Sequence, residues 1–210
     1  MSLLVKRLPV GQLETNCFLA WDEETSKGVV IDPGDDADFI IQAILDERVS
    51  IEAIIATHGH FDHVLAVNEL KMSFDAPFVM HSKDEFLLNR MRETTQHFAG
   101  FDPGPAPKVD EYFDDVKKFG FGNVRLEIIP TPGHTPGSVA LHSEEDSVLF
   151  VGDVLFAGGG VGRTDFSYCS SSELRKSINK LFQLPDQTIT YNGHGREFYL
   201  ADEKLYHSRV

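Results

Sequence analysis

The sequence THGHFDH, residues 57–63, places three histidines and an aspartate within six positions, from His58 to His63. An apolar run typical of a buried strand precedes it, and apolar residues at three- and four-residue steps predict a helix beginning near Asp62. His58 and His60 are two positions apart, so in extended backbone both side chains face one side and can bind the same ion. Asp62 and His63 lie further into the turn and can reach a second position. The stretch therefore predicts a metal site at the end of a strand.

Three further segments combine a candidate ligand with the glycine or proline of a tight turn, and each follows a strand-like run. They are PTPGHTPGS with His134, FVGDV with Asp153 and YNGHG with His194. Because rigid strands deliver their terminal loops to a common edge, these three residues are predicted to join the histidine cluster. The chain would then offer more ligands than a single ion needs.

The types of ligand indicate a hydrolytic chemistry. Imidazole and carboxylate without thiolate suit Zn²⁺, Fe²⁺ or Mn²⁺, and Zn²⁺ is our first expectation for a pair of divalent ions. Two ions about 3.5–4 Å apart can share a hydroxide at neutral pH and polarise a carbonyl group. They also stabilise the oxyanion that forms, so no serine or cysteine nucleophile is needed. The chain has no G-x-S-x-G motif.

The composition argues against several functional classes. The chain of 210 residues carries a formal net charge of −14, whereas a nucleic-acid binder needs a concentrated basic surface. Its two cysteines are too few for a disulfide framework, and it has no apolar stretch of about 18 residues that could span a membrane. We therefore expect a cytoplasmic protein with a small-molecule substrate and no nucleic-acid or membrane partner.

The rest of the chain alternates strand-like and helix-like segments. Helical spacing predicts helices over 35–48, 83–98 and 171–184, and short β-rich runs between turn residues predict strands. Residues 99–110 carry three prolines and two glycines, so we expect a loop beside the site or an internal connection. The last strand is predicted in QTITYNGHG, which ends at Gly195.

These motifs resemble the metallo-β-lactamase superfamily, whose pattern is His-x-His-x-Asp-His followed by a separate His, Asp and His. VVIDPG, GGVGRTDF and NGHG are similar to landmarks of glyoxalase II (hydroxyacylglutathione hydrolase), particularly its short, single-domain bacterial type. The resemblance implies an α/β fold, a four-layer αββα sandwich whose two mixed β-sheets are flanked by helices. It also implies one domain over residues 1–210 without a separate C-terminal substrate-binding domain.

The same resemblance implies a role for each ligand. One ion would be bound by His58, His60 and His134, the other by Asp62, His63 and His194, with Asp153 as the bridging ligand. Asp62 and Asp153 are thereby the residues expected to take part most directly in catalysis.

Supporting and substrate-binding residues can be predicted as well. Asp32 ends a strand at the expected edge, while Thr57 and Thr135 flank ligands, so these three could hold histidines in one tautomer. Arg163 lies in a glycine-rich segment that leaves its guanidinium accessible, and it could bind a substrate carboxylate through two hydrogen bonds. Glyoxalase II, which this loop resembles, places a basic residue there.

The function implied is hydrolysis of a thioester, S-D-lactoylglutathione or a related acyl-thiol, by a hydroxide at a dinuclear centre. The first alternative is a persulfide dioxygenase, whose family shares the fold but uses one iron held by two histidines and one aspartate. The second is a metal-dependent hydrolase of another ester-like substrate. A non-catalytic metal-binding module is the third, although structural zinc sites are usually closed and often rich in cysteine.

Overall fold

A computed structural model describes residues 2–207 of the chain. The strands are β1 (Leu3–Val10), β2 (Thr15–Asp22), β3 (Lys27–Ile31), β4 (Ser50–Ile55), β5 (Phe78–Met80), β6 (Glu111–Tyr112), β7 (Lys118–Phe121), β8 (Val124–Pro130), β9 (Val139–Ser143), β10 (Val148–Gly152), β11 (Leu155–Phe156), β12 (Gly160–Val161), β13 (Ile189–Asn192) and β14 (Phe198–Tyr199). The α-helices are α1 (Ala37–Glu47), α2 (Val67–Phe74), α3 (Glu85–Asn89), α4 (Met91–Phe98), α5 (Ser171–Leu181) and α6 (Leu200–His207). Within residues 2–207, none of these helices has the length and apolar character needed to cross a lipid bilayer.

The strands form two six-stranded sheets and one two-stranded ribbon. The first sheet has the order β1-β2-β3-β4-β5-β6, antiparallel from β1 to β3 and parallel from β3 to β6. The second has the order β14-β13-β10-β9-β8-β7 and is antiparallel except between β10 and β13. Strands β11 and β12 pair with each other. Both large sheets are mixed, which confirms the prediction.

Three apolar clusters separate four layers. The central cluster joins the facing sides of the two sheets and includes Phe18 and Phe150. Another lies between the first sheet and helices α1 and α2, and a third lies between the second sheet and α5. Strand β4 is buried on both faces, since Ala53 and Ile55 belong to the central cluster while Ile54 packs under the helices. The predicted αββα sandwich is thereby confirmed.

Each loop that carries a predicted ligand follows a strand of the sandwich. The histidine cluster follows β4, the loop with His134 joins β8 to β9, Asp153 directly follows β10, and His194 lies two residues beyond β13. Strands β3 and β4 are parallel neighbours in one sheet, as are β10 and β13 in the other. Parallel neighbours end at the same edge of a sheet, so the fold gathers loops of both sheets at one place.

Two helices differ from the prediction at the site. A 3₁₀ turn occupies Phe61–His63, Val64 leaves the helical backbone with φ −138° and ψ 0°, and α2 begins at Val67 instead of near Asp62. The helix predicted over 83–98 is divided at Arg90, which has φ −102° and ψ 0°. The apolar spacing misled the prediction because buried side chains continue on both sides of these breaks.

The segment after Gly195 forms structure that the sequence pattern did not predict. Strand β14 pairs antiparallel with β13, and α6 follows it. Glu203 on α6 is buried, and its carboxylate accepts hydrogen bonds from the N–H groups of Gly158 and Gly159 at 2.7 and 2.6 Å. A buried glutamate gives no apolar signal, yet it anchors the glycine-rich loop that leads to Arg163.

Candidate metal centre and substrate pocket

Five histidine rings converge at this edge: His58, His60, His63, His134 and His194. Each ring places one nitrogen against an oxygen outside the cluster and turns the other nitrogen inward. The outward contacts are His58 Nδ1 to Thr57 Oγ1 (3.1 Å), His60 Nε2 to the Tyr168 hydroxyl (2.9 Å), His63 Nδ1 to Asp32 Oδ2 (3.1 Å), His134 Nδ1 to the Arg163 carbonyl (2.9 Å) and His194 Nδ1 to the Leu13 carbonyl (3.1 Å). A metal ion on the inward nitrogens would leave the proton of each neutral ring on its outward nitrogen, where it can be donated to these oxygens.

The inward nitrogens of His58, His60 and His134 form the first group. His60 Nδ1 lies 3.2 Å from His58 Nε2 and 3.0 Å from His134 Nε2. Burial, with the neighbouring histidines, holds the pKa of His58 far below its usual value and lowers that of His60 to about 3. Both rings are therefore neutral and present lone pairs, which repel at this distance unless a cation lies between them. Ligands ~2.0–2.1 Å from a tetrahedral zinc are about 3.3 Å apart, so the three rings fit one divalent ion.

Asp62, His63 and His194 form the second group, whose ligand atoms all lie within 4.8 Å of one another. Asp62 Oδ2 is 3.4 Å from His194 Nε2 and 3.7 Å from His63 Nε2, longer than ordinary hydrogen bonds. Among residues 2–207, the buried His63 Nε2 has no hydrogen-bond partner. These separations suit ligands that share an ion.

The carboxylate of Asp153 lies between the two groups. Its Oδ1 is 3.6 Å from His63 Nε2, and its Oδ2 is 3.6 Å from His134 Nε2 and 3.7 Å from His194 Nε2. Gly193 leaves the space that this carboxylate occupies, because a Cβ there would collide with Asp153 Oδ1. Asp153 thus faces both groups at once, as a bridging ligand must.

The electrostatics of the second group favour positive charge. Burial alone would lower the pKa of His63, but Asp62, Asp153 and Asp32 outweigh it and raise that pKa to about 10. Burial likewise lowers the pKa of His194, but the contact of its ring with Asp62 together with the charge of Asp153 outweighs burial and raises that pKa. Burial alone would raise the pKa of Asp62, but His63, His194 and His60 together outweigh burial and lower it. The carboxylates therefore create the negative potential that a second cation needs.

Asp32 and Thr57, predicted to support the ligands, contact each other and two of the rings. Asp32 accepts hydrogen bonds from the Thr57 N–H and hydroxyl, both at 2.7 Å. The Thr57 oxygen then accepts from His58, and the Asp32 carboxylate faces His63 Nδ1. Asp32, His58 and His63 also lie close enough to hold an ion. Each Asp32 oxygen accepts one hydrogen bond from Thr57, an arrangement that suits the supporting role expected of Asp32.

Three contacts of the centre involve residues that sequence patterns did not single out. Tyr168 contacts His60, the Leu13 carbonyl contacts His194, and Asp84 links two ligand loops. The signal for Tyr168 is an aromatic residue shortly after GRTDF in the glycine-rich loop. The Leu13 contact is made by a backbone carbonyl, which every residue has, so the sequence cannot indicate it. Asp84 lies at the start of the predicted helix 83–98, where an acidic residue is common.

Replacing Tyr168 with phenylalanine should weaken binding of the first-group ion about 10- to 100-fold, as expected when an outer partner of a ligand histidine is lost. Burial raises the pKa of Tyr168 to about 12, so the lost group is a neutral hydroxyl. A competition titration with a chelating dye measures the effect. Tyr199→Phe, at an exposed tyrosine on β14, is the matched control. Equal metal affinity in the two variants would remove Tyr168 from this role.

A cavity of about 530 Å³ opens onto the centre, a size common for small-molecule sites. Four predicted ligands line it: His60, Asp62, His134 and Asp153. Leu13, Phe61 and Phe98 contribute an apolar part of the wall, and the last two rings stack with centroids 6.1 Å apart. The candidate ions would therefore be reachable by a substrate.

Arg163 lines this cavity, as the sequence predicts, but its guanidinium already has a partner. Nε donates to Asp165 Oδ1 at 2.7 Å and Nη2 donates to Asp165 Oδ2 at 2.6 Å, while the group lies over the Phe166 ring. Arg90 also lines the cavity and is about half exposed, with Glu93 at 3.8 Å. The cavity thus carries two arginines, of which Arg90 has the looser partner.

Comparison with known proteins places this architecture in a family. The chain is 36% identical to hydroxyacylglutathione hydrolase GloC of Haemophilus influenzae, covering 95% of this chain and 94% of that protein. The crystal structure of BLEG-1 B3 metallo-beta-lactamase matches with a TM-score of 0.88 and 33% identity, covering 95% of this chain and 96% of that one. That of TTHA1623 in a di-iron-bound form matches with a TM-score of 0.85 and 32% identity, covering 95% and 97%.

The description of the family that matches residues 10–194 is Metallo-beta-lactamase superfamily. The match spans every predicted ligand from His58 to His194, and the two-sheet sandwich agrees with it. The chain belongs to the metallo-beta-lactamase superfamily, a superfamily of metal-dependent hydrolases.

Proposed function

We propose that the chain is a thioester hydrolase with two divalent metal ions, for which Zn²⁺ is the first candidate. The observation that carries the proposal is the meeting of two three-ligand groups at the Asp153 carboxylate beside an open cavity. Two ions bound there would activate a water molecule at neutral pH and polarise the substrate carbonyl. The similarity to hydroxyacylglutathione hydrolase GloC supports a thioester as the bond that is cleaved.

The chain's own residues orient the ligands and admit the substrate. The outward contacts, four hydrogen bonds and the ion-pair contact of His63 with Asp32, hold the five rings in place, so little reorganisation is needed during the reaction. Asp62 and Asp153 line the cavity, and their carboxylates would bind the ions next to the reacting carbonyl. Among the described residues that line it there is no serine or cysteine, which supports attack by water.

The cavity wall suits a substrate with an apolar part and an anionic part. Leu13 and Phe98 offer apolar surface, while Arg90 and Arg163 offer guanidinium groups for a carboxylate. A glutathione thioester has such carboxylates on its thiol half, at a distance from the scissile bond. This arrangement supports an acyl-thiol with an acidic thiol component.

Replacing Arg163 with alanine should raise KM about 10-fold or more and leave kcat near its parent value, because a charge-assisted hydrogen bond to the substrate is lost. Asp165→Ala is the matched variant, since it frees the same guanidinium from its present partner. In that variant KM should stay the same or fall. Steady-state kinetics with S-D-lactoylglutathione measure both, and an unchanged KM in Arg163→Ala would exclude Arg163 from substrate binding.

A substrate panel tests the proposed function. The purified chain should hydrolyse S-D-lactoylglutathione or a simple acyl-thiol at neutral pH with kcat/KM at least about 100-fold above that for a chromogenic cephalosporin. A preference for the cephalosporin would assign the β-lactam activity named for BLEG-1. Oxygen consumption on glutathione persulfide, without thioester hydrolysis, would favour the dioxygenase alternative.

A further inference from the structure

The buried carboxylate of Asp84 joins two ligand loops of the metal centre. It accepts hydrogen bonds from the Gly59 N–H at 3.0 Å, the Gly137 N–H at 2.6 Å and the Thr135 hydroxyl at 2.5 Å. Gly59 lies between His58 and His60, whereas Thr135 and Gly137 follow His134. One side chain therefore connects both loops that carry the first-group ligands.

The same two glycines leave the space that Asp84 fills. A Cβ on Gly59 would lie 2.7 Å from the Asp84 carbonyl oxygen and 3.0 Å from its Cβ. A Cβ on Gly137 would lie 2.7 Å from Asp84 Cγ. These separations are shorter than van der Waals contact, so any side chain at either position would displace Asp84. The two loops thus pack closely around Asp84, the Gly59 loop against its backbone and Cβ and the Gly137 loop against its carboxylate.

We propose that Asp84 is a positioning residue that sets the relative placement of the His58–His60 loop and the His134 loop, and so selectively determines affinity for the first-group ion. The inference rests on the proposed two-ion centre but not on the identity of the substrate. The second group has other anchors, because His63 is oriented by Asp32 and His194 by the Leu13 carbonyl. Loss of Asp84 should therefore weaken metal binding by the first group and leave the affinity of the second group unchanged.

The test is a Zn²⁺ titration of Asp84→Asn against a chelating dye. In this variant an amide N–H₂ group replaces one of the two accepting carboxylate oxygens. It faces at least one of the three donors, so at least one hydrogen bond is lost. The variant should keep one equivalent at parent affinity and weaken the other about 10- to 100-fold. Asp146→Asn is the matched control, since buried Asp146 also accepts from two backbone N–H groups and one hydroxyl, those of Ser2, Leu3 and Ser143. It should leave both equivalents unchanged.

Thr135→Val is a milder second variant, because it removes one of the three donors to Asp84. It tests the positioning role of Asp84 if Asp84→Asn does not fold. It should weaken the same equivalent several-fold. Ser138→Ala is its control, because Ser138 contacts the Thr135 hydroxyl without touching Asp84. Parent affinity at both equivalents, or equal weakening of both, would overturn the assignment. A parent chain that binds no more than one Zn²⁺ would instead contradict the two-ion centre itself.

Discussion

Replacing Asp153 with alanine is expected to reduce kcat/KM for thioester hydrolysis by at least about 10³-fold, since the interaction lost acts on both ions at once. The carboxylate oxygens of Asp153 face ring nitrogens of both groups, at 3.6–3.7 Å. Its removal leaves the first group with imidazoles alone and the second with one carboxylate. The metal content of the purified variant should also fall below that of the parent.

Asp153→Asn refines the test because it keeps the shape of the side chain. An amide offers a single acceptor oxygen and no charge, so it cannot bridge two cations, and we expect nearly the same loss. Asp186→Ala serves as the control, since that carboxylate pairs with Lys204 on α6. A rate equal to the parent's in Asp153→Ala would show that the bridging assignment is wrong.

Removing metal with a chelator is expected to abolish hydrolysis and lower the melting temperature by about 10–20 °C. Two ions, each present at ~100 times its Kd, contribute about 2.7 kcal/mol each and therefore about 5.4 kcal/mol together to stability. For a domain of this size, 1 kcal/mol shifts Tm by about 2–4 °C. Without cations the first group retains three inward-facing nitrogens at 3.0–3.2 Å, which adds to the destabilisation. Calorimetry of chelated and reloaded protein measures the difference.

Reloading the chelated protein with different metals tests whether the site prefers ions that accept nitrogen ligands. Zn²⁺ should restore both activity and melting temperature, whereas Mg²⁺ should restore neither, because Mg²⁺ prefers oxygen ligands and the rings supply nitrogen. Full activity in the chelated protein, with an unchanged melting temperature, would contradict a metal-dependent reaction.

Much of the fold could be predicted from the sequence because its strands are short, β-rich and bounded by turn residues. The positions of the candidate ligands could be predicted for a related reason, since His58, His134, Asp153 and His194 each lie in a loop after a strand. Loops that follow neighbouring strands at one edge of a sheet lie close together, so their side chains come into contact. The ligand roles themselves stay predictions until metal binding is measured.

The remaining features depend on contacts that leave no local pattern. Asp84 acts through hydrogen bonds to Gly59 and Gly137, which are 25 and 53 positions away. The break at Arg90 lies inside a segment whose apolar residues keep a continuous helical spacing. Glu203 on α6 is a charged residue whose burial is compensated by hydrogen bonds from two N–H groups. Each of these is decided by tertiary packing, which local propensity does not record.

Metal analysis of the purified chain, together with His134→Ala and His194→Ala, tests the central claim most directly. His134 belongs to the first group and His194 to the second, and Asp153 faces both. We predict about two metal ions per chain in the parent protein and about one in each variant, with the retained ion bound by the other group. A single ion in the parent, lost equally from both variants, would contradict the dinuclear centre.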